Sequence, residues 1–326
     1  MTSVFGERDD FEIALRNEGN QSLYVTNSGR FLARLTTVGL YSLHLAAVVE
    51  QLPRIGLLGV PSDMILIAFP FRGPPSPIWG GIRPQHGDLM VFGPDHRVHV
   101  RTQGPCRWGG IWMPAQILAG AFHELTGNRL TIAPAAQLWR PLLTAGRRLL
   151  RLHAAAIRAA EVRPETIVDA EAAHGMEQQL IHTLVECLSA KPAEDQMQIQ
   201  LRNQGIAARF EDLLRAQRNP ALSADRLSAA LGVSARLLRR GCAADLGMSP
   251  ASYIRLRALH RVHDTLRGGA PGVTTVAEAA RDHGFTSSGH FAAAYRSLFG
   301  ELPSDTLRRP HPAGPLWPRR RPYEPA

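Results

Sequence analysis

The sequence predicts an α+β protein in three parts: a β-rich amino-terminal domain, a helical middle region and an all-α carboxy-terminal domain. Three observations carry that prediction. Up to about residue 114 the apolar runs are short and cut by Gly and Pro. From Pro114 onward they lengthen to helical size. Between Leu222 and Arg309 one set of helix start and stop signals occurs twice.

In the first part, Gly56-Leu57-Leu58-Gly59-Val60, Met64 to Phe69, Asp88 to Phe92 and Arg97 to Arg101 read as strands. The run Phe71-Arg72-Gly73-Pro74-Pro75-Ser76-Pro77 lacks backbone donors at its prolines, so it connects strands rather than continuing a ladder. The sheet is expected to close as a roll or barrel. In the middle part, helices are predicted over Ala115 to Leu125, ending at Gly127, then Pro141 to Ala160 and Glu165 to Ala190, each ending before a proline. A further helix, Gln196 to Arg218, carries Ile199, Ile206, Phe210, Leu213 and Leu214 at helical spacing and stops before Asn219-Pro220. Two apolar stripes, Leu142, Leu143, Leu149, Leu150, Ile157 and then Leu180, Ile181, Leu184, Val185, Leu188, either pack on the sheet within one subunit or form a dimer seam.

The third part repeats itself. In the first round Ser223 caps a short helix ending near Leu231, Gly232-Val233 turns the chain, and Ser234 caps a second helix to about Leu246-Gly247. In the second round Thr275 and Glu278 form a Thr-x-x-Glu capping box, Gly284 turns the chain, and Thr286 or Ser287 starts a helix to Phe299-Gly300. Gly232 and Gly284 stand at the equivalent turn position, where only glycine adopts a left-handed conformation cheaply. Between the rounds, Ser249-Pro250 caps a connecting helix from Ala251 to Leu266 with Tyr253, Ile254, Leu256, Leu259 and Val262 at helical spacing. At 1.5 Å per residue it spans about 25 Å, which brings two successive major grooves of DNA within reach of the two second helices.

The 326 residues carry 37 Lys+Arg against 28 Asp+Glu, a formal charge of +9, and Lys191 is the only lysine. Arginine's planar fork suits phosphate oxygens and guanine edges, so nucleic acid is the leading partner. A charged fraction of 20% with 44% apolar residues excludes a solvating, unfolded polymer. No apolar run approaches the roughly 18 residues a membrane span needs, and Met1 to Asp10 lacks the blocks of a signal peptide, which predicts a cytoplasmic protein without membrane contact. Cys106, Cys187 and Cys242 are odd in number and far apart, without zinc-site spacing.

The first second-helix reads Ser234-Ala235-Arg236-Leu237-Leu238-Arg239-Arg240, so Arg236, Arg239 and Arg240 share one broad face. There each arginine can donate two hydrogen bonds to a guanine, or else touch only phosphates, and Arg240 has the alternative of an internal ion pair. The other second-helix, Ser288 to Arg296, offers Ser288, His290 and Arg296 as polar side chains for contact. Ser287 and Ser288 at its amino terminus suit a phosphate. Sequence reading from this half is expected to be weak.

Leu227 to Pro250 and Val276 to Arg309 together closely resemble the double helix-turn-helix of the AraC/XylS family of bacterial transcription regulators. The marks are Leu246-Gly247-Met248-Ser249-Pro250 with Tyr253, then Gly284-Phe285, His290-Phe291, Tyr295, Phe299-Gly300 and Pro303-Ser304. Thr274-Thr275-Val276 and the run Leu302 to Arg309 are similar to the subgroup containing the ethanolamine-utilisation activator. The resemblance covers about 90 residues. It implies double-stranded DNA and RNA polymerase as partners, activation rather than repression, an unknown small-molecule effector and a homodimer. It matches base readers to Arg236, Arg239 and Arg240, and to Ser288, Gly289, Ala292 and Ala293. Two departures stand out: Cys242 replaces a usual Phe after Gly241, and Ala293 stands where Arg is frequent. The family's amino-terminal regions often fold as cupin-like β-rolls, which implies a sensory domain over 1–114, followed by a helical linker and dimerisation region over 115–218 and the DNA-binding domain over 219–309. The tail 310–326, with its prolines and Arg319-Arg320-Arg321, reads as disordered and basic.

A metal cupin would gather histidines such as His86, His96 and His99 and a carboxylate, but His96 and His99 are spaced to face opposite sides of a strand, and no glutamate follows at a short interval, so the three read as surface or core histidines. Trp79, Trp108, Trp112, Phe69 and Phe71 either line an apolar effector pocket, with Arg72, Arg83 or Arg101 fixing an anion, or are core and rim. His44 with Glu50 and His123 with Glu124 form no catalytic arrangement, and no nucleophile elbow, P-loop or dinucleotide fingerprint occurs. The expectation is a regulator that is not an enzyme and has no cofactor. Its rivals are a cupin-type metalloenzyme fused to a DNA-binding domain and a constitutive DNA-binding protein without effector.

Overall fold

The computed structural model describes residues 1–16, 18–73, 75–133, 136–162, 169–190, 192–193, 205–216, 224–269 and 274–309. The predicted cap Ser223, the first part of the helix predicted from Gln196 and the tail 310–326 lie outside them. In chain order the elements are β1 (Thr2–Phe5), α1 (Arg8–Arg16), β2 (Asn20–Val25), β3 (Ala33–Gly39), β4 (His44–Glu50), β5 (Arg54–Gly59), β6 (Met64–Pro70), β7 (Ile78–Trp79), β8 (Leu89–Phe92), β9 (Arg97–Arg101) and β10 (Cys106–Pro114). There follow α2 (Ala115–Thr126), β11 (Gln137–Trp139), α3 (Leu143–Val162), α4 (Ala170–Leu188) and α5 (Ile206–Ala216). The chain continues with α6 (Ala224–Leu231), α7 (Ala235–Asp245), α8 (Pro250–Gly268), α9 (Val276–Asp282), α10 (Ser288–Phe299) and α11 (Pro303–Arg308).

The strands form two open antiparallel sheets, one of seven in the order β1-β3-β4-β10-β6-β8-β11 and one of four in the order β2-β5-β9-β7. Each sheet keeps two edge strands, so the described strands do not close into one barrel. Between the sheets, Leu23, Leu58, Val98 and Val100 meet Val48, Met90, Phe92, Trp108 and Trp112. The far face of the large sheet is a second core, where Ile65, Ile67, Phe69 and Ile111 pack against Leu149 and Ile157 of α3 and Leu180, Leu184 and Leu188 of α4. The helical stripes read from sequence are therefore largely spent within one subunit, since burial of these side chains removes apolar area from water. Leu142 and Leu143 are the exceptions, at 74% and 65% exposed.

Packing also separates the aromatic residues that the sequence suggested as one pocket lining. Trp79, Trp108 and Trp112 lie between the sheets, whereas Phe69 and Phe71 lie on the opposite face beside His153. Residues the sequence left as β-rich also include the helix α1, whose Phe11 and Leu15 close one end of the inter-sheet core. A third core joins α5 to α11 and takes in Ile55 of β5 and, half-buried, Tyr24 of β2. Thus α5 packs with the carboxy-terminal helices, and the outer face of the small sheet is covered by them.

Candidate nucleic-acid interface

Two helix pairs, α6–α7 and α9–α10, are built the same way. At the first turn Gly232 has φ +66° and its N–H donates to Ala229 O at 3.0 Å, while Val233 N–H donates to Ser228 O at 3.1 Å. At the second, Gly284 has φ +88°, its N–H donates to Arg281 O at 2.9 Å, and Phe285 N–H donates to Ala280 O at 2.9 Å. These bonds satisfy the carbonyls left over at each helix end and fix the exit direction of the chain. The connecting α8 is capped by Ser249 Oγ, which accepts from Ser252 N at 3.1 Å, with Pro250 in its first turn. Its 19 residues span about 28 Å.

The entry to each following helix differs. Ser234 Oγ accepts from Leu237 N at 3.2 Å and so caps α7. Ser287 occupies the same position before α10, but its side chain makes no cap hydrogen bond. The capping box read from sequence is present at α9, with Thr275 Oγ1 accepting from Glu278 N at 3.2 Å and Glu278 Oε2 accepting from Thr275 N at 3.3 Å.

On α7, Leu238, Gly241 and Cys242 are buried while Arg236, Arg239 and Arg240 are exposed, and none of the three arginines is in an ion pair among the described residues. The sequence-level alternative of an internal pair for Arg240 has no partner there. A Cβ on Gly241 would come 3.2 Å from Ile206 Cγ2, so the small Gly241-Cys242 step is what lets α5 lie close on α7. Burial pushes the Cys242 thiol up to about 12, which leaves it a small apolar filler. On α10, Phe291, Tyr295 and Leu298 are buried, and Ser287, Ser288, His290 and Arg296 are exposed. Sequence reasoning did not single out Arg255, an exposed arginine of α8 whose Nη2 donates to His290 O at 3.4 Å. Its position on the polar face of the connecting helix was the available signal.

The residues considered for other chemistry do not come together. His86 is exposed, His96 stacks on Phe92 at 5.8 Å, and His99 is buried against the carboxy-terminal helices. No group of three His, Cys, Asp or Glu placed to hold a metal occurs among the described residues. Arg72 and Arg83 are exposed, the latter donating to Gln103, and Arg101 is half-buried at the seam with the helices. Glu50 is buried between the sheets, accepting from Arg54 Nη2 at 3.0 Å and Trp108 Nε1 at 3.1 Å, with Cys106 Sγ at 3.3 Å. That network satisfies a charge that would otherwise be costly to bury.

Residues 227–309 match the family described as a helix-turn-helix domain. Over 88 residues the chain is 41% identical to a XylDLEGF operon transcriptional activator of Pseudomonas putida, covering 27% of this chain and 27% of that protein. Over 104 residues it is 31% identical to a probable thc operon regulatory protein of Rhodococcus erythropolis, covering 32% and 31%. The chain thus spans about a third or less of the length of these relatives. Among solved structures it is similar to the AraC-like transcriptional activator CuxR, with a TM-score of 0.43, 14% identity and coverage of 86% of this chain and 98% of that one. It is also similar to a probable AraC family transcriptional regulator from Rhodopseudomonas palustris, with a TM-score of 0.31, 34% identity and coverage of 33% and 100%. The sequence relatives fix the type of domain and not a subgroup. The carboxy-terminal part of the chain, residues 227–309, carries a helix-turn-helix domain.

Proposed function

We propose that the protein is a transcription activator that binds double-stranded DNA through two helix-turn-helix units, one in each of two successive major grooves. The carrying observation is the exposed arginine face of α7, opposite the buried Leu238, Gly241 and Cys242, on a helix that follows a glycine turn as its counterpart does. In this reading Arg236, Arg239 and Arg240 read guanines, each bidentate contact discriminating by about 1–3 kcal/mol, or roughly 5- to 150-fold. Ser287 and Ser288 hold a phosphate at the amino terminus of α10, whose backbone donors and dipole favour an anion, and His290 and Arg296 add contacts along the same strand.

In the same reading the β-domain, cupin-like in type, senses a small-molecule effector. The protein works in the cytoplasm as a homodimer that engages RNA polymerase, and it performs no catalysis. No helix among the described residues is long and apolar enough to cross a membrane. The domain type supports the reading, as do the relatives named for operon regulation. One observation favours a second reading, a constitutive DNA-binding protein. Trp79, Trp108, Trp112 and Phe92 occupy the space between the sheets, where an effector would have to displace them.

Selection of genomic fragments by the intact protein, followed by salt-dependent affinity for the best duplex, tests the function. A few strong sites beside promoters, with relaxed specificity in Arg239→Ala, are expected. Diffuse binding that only fades with salt overturns the proposal.

A further inference from the structure

The small sheet uses both faces of one strand. On β9, Val98 and Val100 face the inter-sheet core, while Arg97, His99 and Arg101 face the carboxy-terminal helices. Three acids from α5 and α7 stand opposite. Arg97 pairs with Asp212. His99 Nε2 lies 3.9 Å from Glu211 Oε2. Arg101 lies beside Asp245 and across Gly247, where φ is +72° and a Cβ would strike the guanidinium.

Glu211 is the centre of this seam. It is fully buried, accepts from Tyr253 Oη at 2.7 Å, and pairs with Arg257 at 3.1 Å and Arg215 at 3.4 Å. Arg257 in turn lies 6.0 Å from the ring centres of both Tyr24 on the sheet and Tyr253 on α8. Farther along α8, Arg8 of α1 bonds to Asp264 and to His260 Nδ1, and His260 Nε2 donates to Val25 O at 2.9 Å. Arg267 reaches Glu7 and Asp9 at 3.2 Å each. Both recognition units meet this seam at their carboxy-terminal ends: α7 through Asp245, and α10 through Phe299, which stacks on His263 at 4.4 Å. The arginines of α7 and the amino terminus of α10 stay exposed meanwhile.

We propose that this seam is an electrostatic latch. The cationic face of β9, with Arg8 and Arg267, holds α5, α7 and α8 against the β-domain and keeps the recognition units in their DNA-binding orientation, so that any repacking between the sheets acts on DNA through β9. The proposal rests on the DNA-binding reading for its functional half. Its physical half, that ion pairs hold the seam closed, stands separately. The latched state is the competent one, because latching covers none of the exposed residues assigned to DNA.

The test uses full-length protein with Asp212→Asn and Asp264→Asn combined, both partners being more than half exposed and outside the DNA face. Glu211→Gln is the stronger, buried variant. Amide hydrogen exchange over β9 and α5 reads the seam, and affinity for a duplex selected by the wild type reads the function. The latch predicts a roughly tenfold rise in exchange over β9 and α5 in the double variant, with the seven-stranded sheet unchanged, and a comparable loss of affinity. Unchanged exchange in the double variant overturns the latch if Glu211→Gln, once shown to be folded, is unchanged too. Faster exchange with equal or tighter DNA binding overturns the competent-state assignment. If the wild type selects no duplex, the DNA-binding reading falls and the exchange arm alone decides whether ion pairs close the seam.

Discussion

Helices α7 and α10 share a frame and differ in what they present. Both follow a glycine turn with matching hydrogen bonds, and both bury an apolar face in one core. Yet α7 turns three arginines outward, whereas α10 turns out Ser288, His290, Arg296 and small residues. In the proposed function the backbone arrangement sets where a helix lies on DNA, and the exposed side chains set how much sequence it reads. A repeat of structure is not a repeat of function.

The comparison is broken most severely through the core. Phe291→Ala removes a buried ring that packs on Phe285 and Tyr295, at 4.9 and 5.7 Å, and is expected to cost about 3–5 kcal/mol, seen as a lower thermal midpoint. Leu238→Ala, its counterpart in the first unit, is expected to cost about 2–5 kcal/mol. A first unit that melts with the second in both variants would show that α8 makes them one cooperative body.

Acid separates the units next. Burial alone would raise the Glu211 carboxyl, but His99, Arg257 and Tyr253 outweigh it and bring it down to about 2. Its stabilisation is therefore present above the unfolded value near 4.5 and is lost as pH falls from there towards 2. Asp245 acts in the opposite sense, since burial raises it to about 6, so between there and its ordinary 3.8 it favours the folded state as pH falls. Below pH 4 the first unit, on which α5 packs, is expected to gain amide exchange before the second.

On DNA, Arg239→Ala is expected to relax discrimination at one base pair by about 1–3 kcal/mol, whereas Ser288→Ala weakens binding uniformly across sequences. Equal effects on all sequences from both variants would erase the proposed division of labour. The smallest effect is at the helix entries. Ser234→Ala is expected to cost about 1 kcal/mol of stability for a lost cap. Ser287→Ala is expected to leave stability within about 0.5 kcal/mol, because its side chain makes no cap bond, while lowering DNA affinity. Denaturant midpoints and a binding titration on the same preparations check both.

The legibility of the sequence follows the range of the forces. Strands β6, β8 and β9 and helices α2, α7, α8 and α10 lie within a few residues of their predicted bounds, because their apolar spacing, caps and glycines act within a turn or a pleat. Helix α1 and strand β11 escaped notice, since each is short and is held in place by distant partners, Phe11 by the inter-sheet core and Leu138 by β8. The exposed arginines of α7 were legible as a face. Arg255 was not, because its contact with His290 comes from an element 35 residues away.

Sequence alone determined the domain type, the turn glycines, the caps at Ser234, Ser249 and Thr275 and the polarity of α7 and α10, all consequences of local stereochemistry and periodicity. Tertiary structure decided the partners of everything between. It spent the stripes of α3 and α4 on the large sheet, split the aromatic residues between two cores, and set Arg97, His99 and Arg101 along one seam with the carboxy-terminal helices. A strand's alternation tells which residues share a side. What lies across from that side depends on chain segments more than 100 residues away, 115 between Arg97 and Asp212, whose meeting is settled only when the cores pack.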